Sequence, residues 1–97
     1  MSYDMDIGYY WANYTYNLSG LFHDILPGGL YGLDGLTGSK DGNRLQHAIN
    51  LAKCWDKKKL EKYNPSNDWG NSERTLEVLE EFMAACKENP RKKVSVT

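Results

Sequence analysis

Basic residues are missing from the first part of this chain, where no lysine or arginine occurs before Lys40. A formal net charge of −1 over the whole sequence argues against a protein that binds nucleic acid directly or lies on a membrane. Nothing approaches the roughly 18 consecutive apolar residues that a membrane-spanning helix needs. No basic start followed by an apolar run marks a secretory leader. Cysteine is scarce: Cys54 and Cys86 form no Cys-x-x-Cys pair, each falls on the apolar side of an expected helix, and both read as buried free thiols in a reducing cytoplasm. His23 and His47 stand outside any metal or catalytic motif. His47 and Cys54 could share a helix face, but without a second ligand pair they do not make a zinc site. No metal and no cofactor are expected, and no arrangement of nucleophile and base points to an enzyme.

What is present describes one globular domain, residues 1–97, with 40% hydrophobic and 26% charged residues. A chain of that length buries roughly 60–65% of the surface that its unfolded form exposes, which suffices without staples. Charge is unevenly spread. Residues 1–39 hold Asp4, Asp6, Asp24 and Asp34 and carry −4, while the remainder, with 12 basic and 9 acidic residues, carries +3. The aromatics lean the same way, with Tyr3, Tyr9, Tyr10, Trp11, Tyr14, Tyr16, Phe22 and Tyr31 in the first third.

Tyr3, Met5, Ile7 and Tyr9 alternate with polar residues or glycine, which predicts a strand over Tyr3 to Tyr10. A short helix from Thr15 or Asn17 follows, with Leu18, Leu21, Phe22 and Ile25 on one face and Pro27-Gly28-Gly29 as its stop. Residues 28–39 interleave glycines with Leu30, Leu33 and Leu36. The spacing fails the phosphate-binding pattern, because Ser39-Lys40 stands in reversed order, so a compact loop anchored by its leucines is expected. Thr37 or Ser39 caps a second helix running to about Trp55, a basic turn or short helix covers Lys57 to Tyr63, and Ser72 caps a last helix closed by Asn89-Pro90. Val94 to Thr97 has strand character. The expected class is α+β, with three to four packed helices and a short two-stranded ribbon formed by the N- and C-terminal segments.

Two polar loops carry the candidate binding residues. The first holds Asn13, Tyr14, Thr15, Tyr16 and Asn17, and the second holds Asn64, Asn67, Trp69 and Asn71. Uncharged hydrogen-bonding groups beside aromatic faces can recognise a ligand by stacking and amide contacts, and the same residues serve equally as helix caps and turns. Four lysines, Lys57, Lys58, Lys59 and Lys62, read as a solvated helical face.

The segments Asn13 to Leu18, Gly35-Leu36-Thr37-Gly38, Asn64-Pro65 through Trp69-Gly70, and Ala84-Ala85-Cys86-Lys87-Glu88-Asn89-Pro90 together resemble a family of small proteins encoded by bacteriophages and prophages. Tyr16 stands where many relatives carry histidine, and Asp68 where glycine is common. The resemblance implies a non-catalytic accessory protein in the host bacterial cytoplasm. It makes an antagonist of a bacterial defence system, of the anti-CRISPR kind, the leading expectation, with a host defence protein as partner and the acidic first third as a lure for a basic site. One alternative is a sponge for a nucleotide-derived small molecule, which needs a cavity of roughly 300 Å³ or more lined by Asn13, Asn17, Asn67 and Trp69. Another is a phage structural or assembly component.

Overall fold

Gly8 sets the architecture by turning the chain back on itself. In the computed structural model, which describes residues 2–65 and 71–97, Gly8 has φ +61°, a conformation that glycine adopts without penalty. Strand β1 (Ser2–Ile7) therefore ends before Tyr9, and β2 (Tyr10–Thr15) returns beside it in the register Ile7↔Tyr10 through Ser2↔Thr15. Near the other end of the chain β3 (Ser95–Val96) pairs with β1 on its far side, giving an antiparallel sheet in the order β2-β1-β3. The terminal segments pair as the pattern predicts. The sheet is one strand wider, because Tyr10–Thr15 continues as a strand before the chain turns helical.

Period-two alternation gives the sheet two unlike faces. Tyr3, Met5, Ile7, Tyr14, Val94 and Val96 point into the core, while Ser2, Asp4, Asp6, Trp11, Asn13 and Thr15 lie on the opposite, solvent side. The helices cover only the apolar face. After a 3₁₀ turn at Tyr16–Leu18 comes α1 (Ser19–Ile25), then a second 3₁₀ turn at Leu30–Leu33, α2 (Gly38–Lys53), α3 (Lys57–Glu61) and α4 (Ser72–Glu88). The glycine-rich loop packs as expected, with Leu30 and Leu33 buried and Leu36 half-buried.

The central layer is the pair α2 and α4, whose Leu45, Ala48, Ile49 and Ala52, and Val78, Leu79, Phe82 and Cys86, join one core with the sheet's inner face. Their contact is closest where α2 begins and α4 ends. A Cβ on Gly38 would collide with the carbonyl oxygens of Asn89 and Cys86, so only glycine permits this approach. Thr37 caps α2 by accepting from Lys40 N. Asn71, rather than Ser72, caps α4: its side chain accepts from Arg74 N at 2.8 Å, while Ser72 is a buried first-turn residue. Cys86 is buried as the apolar pattern predicts, and burial, with Asp41 nearby, pushes its thiol up to about 12. Cys54 is exposed, because α2 stops at Lys53 and leaves it as the C-cap beyond the apolar stripe.

Candidate binding surface

Among the described residues the two polar loops meet through Tyr14 and Asn71, and this meeting is a structural joint. Tyr14 is buried on the inner face of β2, and its hydroxyl donates to the Asn71 carbonyl at 3.2 Å. The Thr75 hydroxyl lies 2.9 Å from that phenol oxygen and 2.7 Å from the same carbonyl, so the start of α4 is tied to the strand above it. Asn64 Oδ1 accepts from Ser72 N at 2.8 Å, which braces the entrance to α4 from the other side of the loop. Asn67 and Trp69 lie outside the described residues.

The remaining residues of the first loop are also engaged. Asn13 Nδ2 lies within hydrogen-bonding distance of Ser2 Oγ at 2.8 Å, Asp4 Oδ1 at 2.9 Å and the Tyr3 carbonyl at 3.2 Å, clamping the hairpin across its outer face. Thr15 Oγ1 accepts from Asn17 N at 3.1 Å and starts the 3₁₀ turn. Tyr16 stands edge-on to Tyr3 at 4.5 Å between ring centroids, and its hydroxyl hydrogen-bonds that of Tyr31. That bond, with a lesser effect of burial, pushes the Tyr31 phenol up to about 12. Tyr3 also packs edge-on against Phe22, so the cluster joins the sheet to α1 and the glycine loop. Asn13, Tyr14, Thr15 and Tyr16 thus hold the hairpin to its surroundings.

The ungathered surface lies beside them. The outward positions of the strands carry Asp4 and Asp6 and no lysine or arginine, and Trp11, opposite Asp6, is 63% exposed. Tyr9 at the hairpin tip is fully exposed. Backbone valences divide unequally between the two sheet edges. Asp4 N and O both bond to Thr97 on the β3 side, so the residues opposite Asp4 and Asp6, which are Asn13 and Trp11, direct their own N–H and C=O away from β1. Among the described residues no hydrogen bond closes on those backbone groups. The β3 edge is covered instead: Val96 N donates to Asp34 Oδ1, Gly35 N to the Val94 carbonyl, and Val94 N to the Leu36 carbonyl. The alternation of Tyr10, Trp11, Ala12 and Asn13 after a turn-prone glycine is the sequence signal for this edge, obscured because aromatics occupy both faces.

On the lysine-rich α3, Lys59 Nζ lies 4.0 Å from the centre of the Trp55 ring, which itself stacks on Tyr63. Tyr63 in turn donates to Asp24 at 2.6 Å. Among the described residues no group of three or more His, Cys, Asp or Glu side chains could hold a metal ion, and no helix is long and apolar enough to cross a membrane. No family model matches the chain, and neither a curated protein nor a solved structure matches it significantly.

Proposed function

We propose that this chain is a small non-catalytic binding protein that occupies a basic site on a partner protein. The resemblance to bacteriophage-encoded proteins makes a host bacterial defence protein the class of partner, and antagonism of the anti-CRISPR kind the consequence. The observation that carries this reading is the outer face of the sheet, where an exposed Trp11 stands opposite Asp6 with Asp4 on the same face beyond it, and the outward strand positions hold no lysine or arginine. An aromatic anchor beside uncompensated carboxylates suits a surface rich in lysine and arginine, where tryptophan supplies contact area and the carboxylates supply orientation. Tyr14 and Tyr16 contribute by holding the hairpin that presents this face.

Capture of the tagged chain's partner from host lysate tests the reading when variants are run in parallel. A stoichiometric host protein should be retained by wild type and lost by Trp11→Ala, and weakened by the Asp4→Asn, Asp6→Asn pair. Full retention by both variants would remove the outer face from the function. A nucleotide-derived molecule released on heating, with no protein partner, would replace the reading with the sponge.

A further inference from the structure

Resting on that reading, we propose that the partner contributes an extended segment, with lysine or arginine flanking an aliphatic residue, which adds as a fourth strand to the open edge of β2. Helix α4 runs the length of β2 in the opposite direction: Tyr14 meets Asn71 at its start, Tyr10 stacks on Phe82 at 5.8 Å, and Gly8 abuts Asn89 at its end. A strand added to β2 therefore lies over the exposed flank of α4. A groove of about 500 Å³ lies at the hairpin-tip end of this edge, lined by Tyr9, Tyr10, Glu81, Ala84, Ala85 and Glu88.

Three features of this edge and the groove at its end specify the occupant. Backbone N–H and C=O groups of Trp11 and Asn13 face outward along the β2 edge without partners among the described residues, the arrangement by which a sheet edge takes up an extended peptide. The Tyr10 hydroxyl is shielded from solvent and has no hydrogen-bond partner among the described residues, leaving a polar group for an incoming strand to satisfy. The α4 flank is small in the middle, at Ala84 and Ala85, and acidic at both ends. Glu81 lies 3.8 Å from Arg74, which it shares with Glu77, and Glu88 makes no salt bridge among the described residues.

Spacing narrows the segment further. Glu81 and Glu88 are separated by about 10.5 Å along a helix rising 1.5 Å per residue. Inward-facing strand positions four residues apart are separated by roughly 13 Å, within reach of two long cationic side chains. The pattern is Lys/Arg-x-aliphatic-x-Lys/Arg, with the aliphatic residue over the alanines. The two edges of the sheet differ in a way that favours this site. The β3 edge is closed by Asp34 and the 35–36 backbone, whereas β2 carries none of the lysines or prolines that usually discourage pairing.

The test uses the acetylated, amidated peptide Thr-Lys-Thr-Val-Thr-Lys-Thr and a version with glutamate for lysine, titrated into the intact chain and followed by amide NMR and hydrogen exchange. The lysine peptide should slow exchange at Trp11 and Asn13 by about tenfold or more, as new backbone hydrogen bonds do, and the glutamate peptide should not. Asn13→Pro removes an outward N–H that the β1 ladder does not use. It should bind about tenfold more weakly than Asn13→Ala, which loses the same side chain and keeps the N–H. Unchanged exchange at both amides, equal binding of the two peptides, or a wild-type dimer that Asn13→Pro renders monomeric would overturn the proposal. The wild-type exchange measurement decides alone if the proline variant does not fold. A host protein lost on Trp11→Ala but retained by Asn13→Pro would leave the proposed function standing and remove strand addition as its mode.

Discussion

Asp41 sits in the first turn of α2, fully buried, with neither carboxylate oxygen hydrogen-bonded among the described residues. Burial raises its pKa to about 6 from an ordinary 3.8; Arg44 acts in the opposite direction, and Asp34 adds to the rise. The folded chain therefore holds a proton that the unfolded chain releases. The stability this group contributes is fully present below about pH 4 and is lost as the pH climbs to about 6, beyond which a constant penalty remains. Asp41→Asn removes the charge and should stabilise the protein at pH 7 by on the order of 2–3 kcal/mol, with little change near pH 4. Thermal unfolding at the two pH values checks this, and equal shifts at both would mean that the carboxylate's charge is not the cause. Asp34, unlike Asp41, is hydrogen-bonded: its carboxylate accepts Val96 N and closes the sheet edge.

The elements bring distant short segments of the chain into contact. Gly35-Leu36-Thr37-Gly38 and the Ala84 to Pro90 segment form one joint, in which Gly38 meets the Cys86 and Asn89 carbonyls and Ser39 N donates to the Pro90 carbonyl. Tyr14 of the Asn13 to Leu18 segment makes another with the Asn71 carbonyl at the start of α4. Gly38→Ala should destabilise the fold by several kcal/mol, because the obstructing atoms are backbone and cannot rotate aside. A denaturant midpoint within error of wild type would show that α2 and α4 can separate freely. Much of this level was legible in the sequence. The helices follow from apolar spacing and stop residues, and β3 from its valines. What escaped was β2, since its residues alternate in burial but not in polarity, and the turn before it lacks an Asn-Gly or Asp-Gly signature. The candidate loop residues were legible as polar clusters. Their spatial partners, up to 61 residues away in the case of Tyr14 and Thr75, were not.

At the scale of the whole molecule, the charge asymmetry acquires a direction. The acidic first part of the sequence supplies the outer face of the sheet, through Asp4 and Asp6, while the lysines of α3 lie on a separate helix. Long-range attraction acts on encounter more than on the lifetime of the complex. Neutralising Asp4 and Asp6 as asparagines should therefore slow association with a basic partner by about threefold to tenfold at low salt, with a smaller change in dissociation. Surface-binding kinetics at two ionic strengths separate these effects, and a change confined to dissociation would argue against steering. Peptide strand addition and charge steering use different atoms, so the two can fail independently.

The unequal edges of the sheet have a further consequence for growth. A sheet with two free margins can pass pairing from molecule to molecule and build a fibre, but here Asp34 and its neighbours occupy one margin, so only β2 can accept a strand. In the language of polymerisation this chain has a blocked end: among the described residues, pairing passed to it through β2 finds the β3 margin already occupied by Asp34 and the 35–36 backbone.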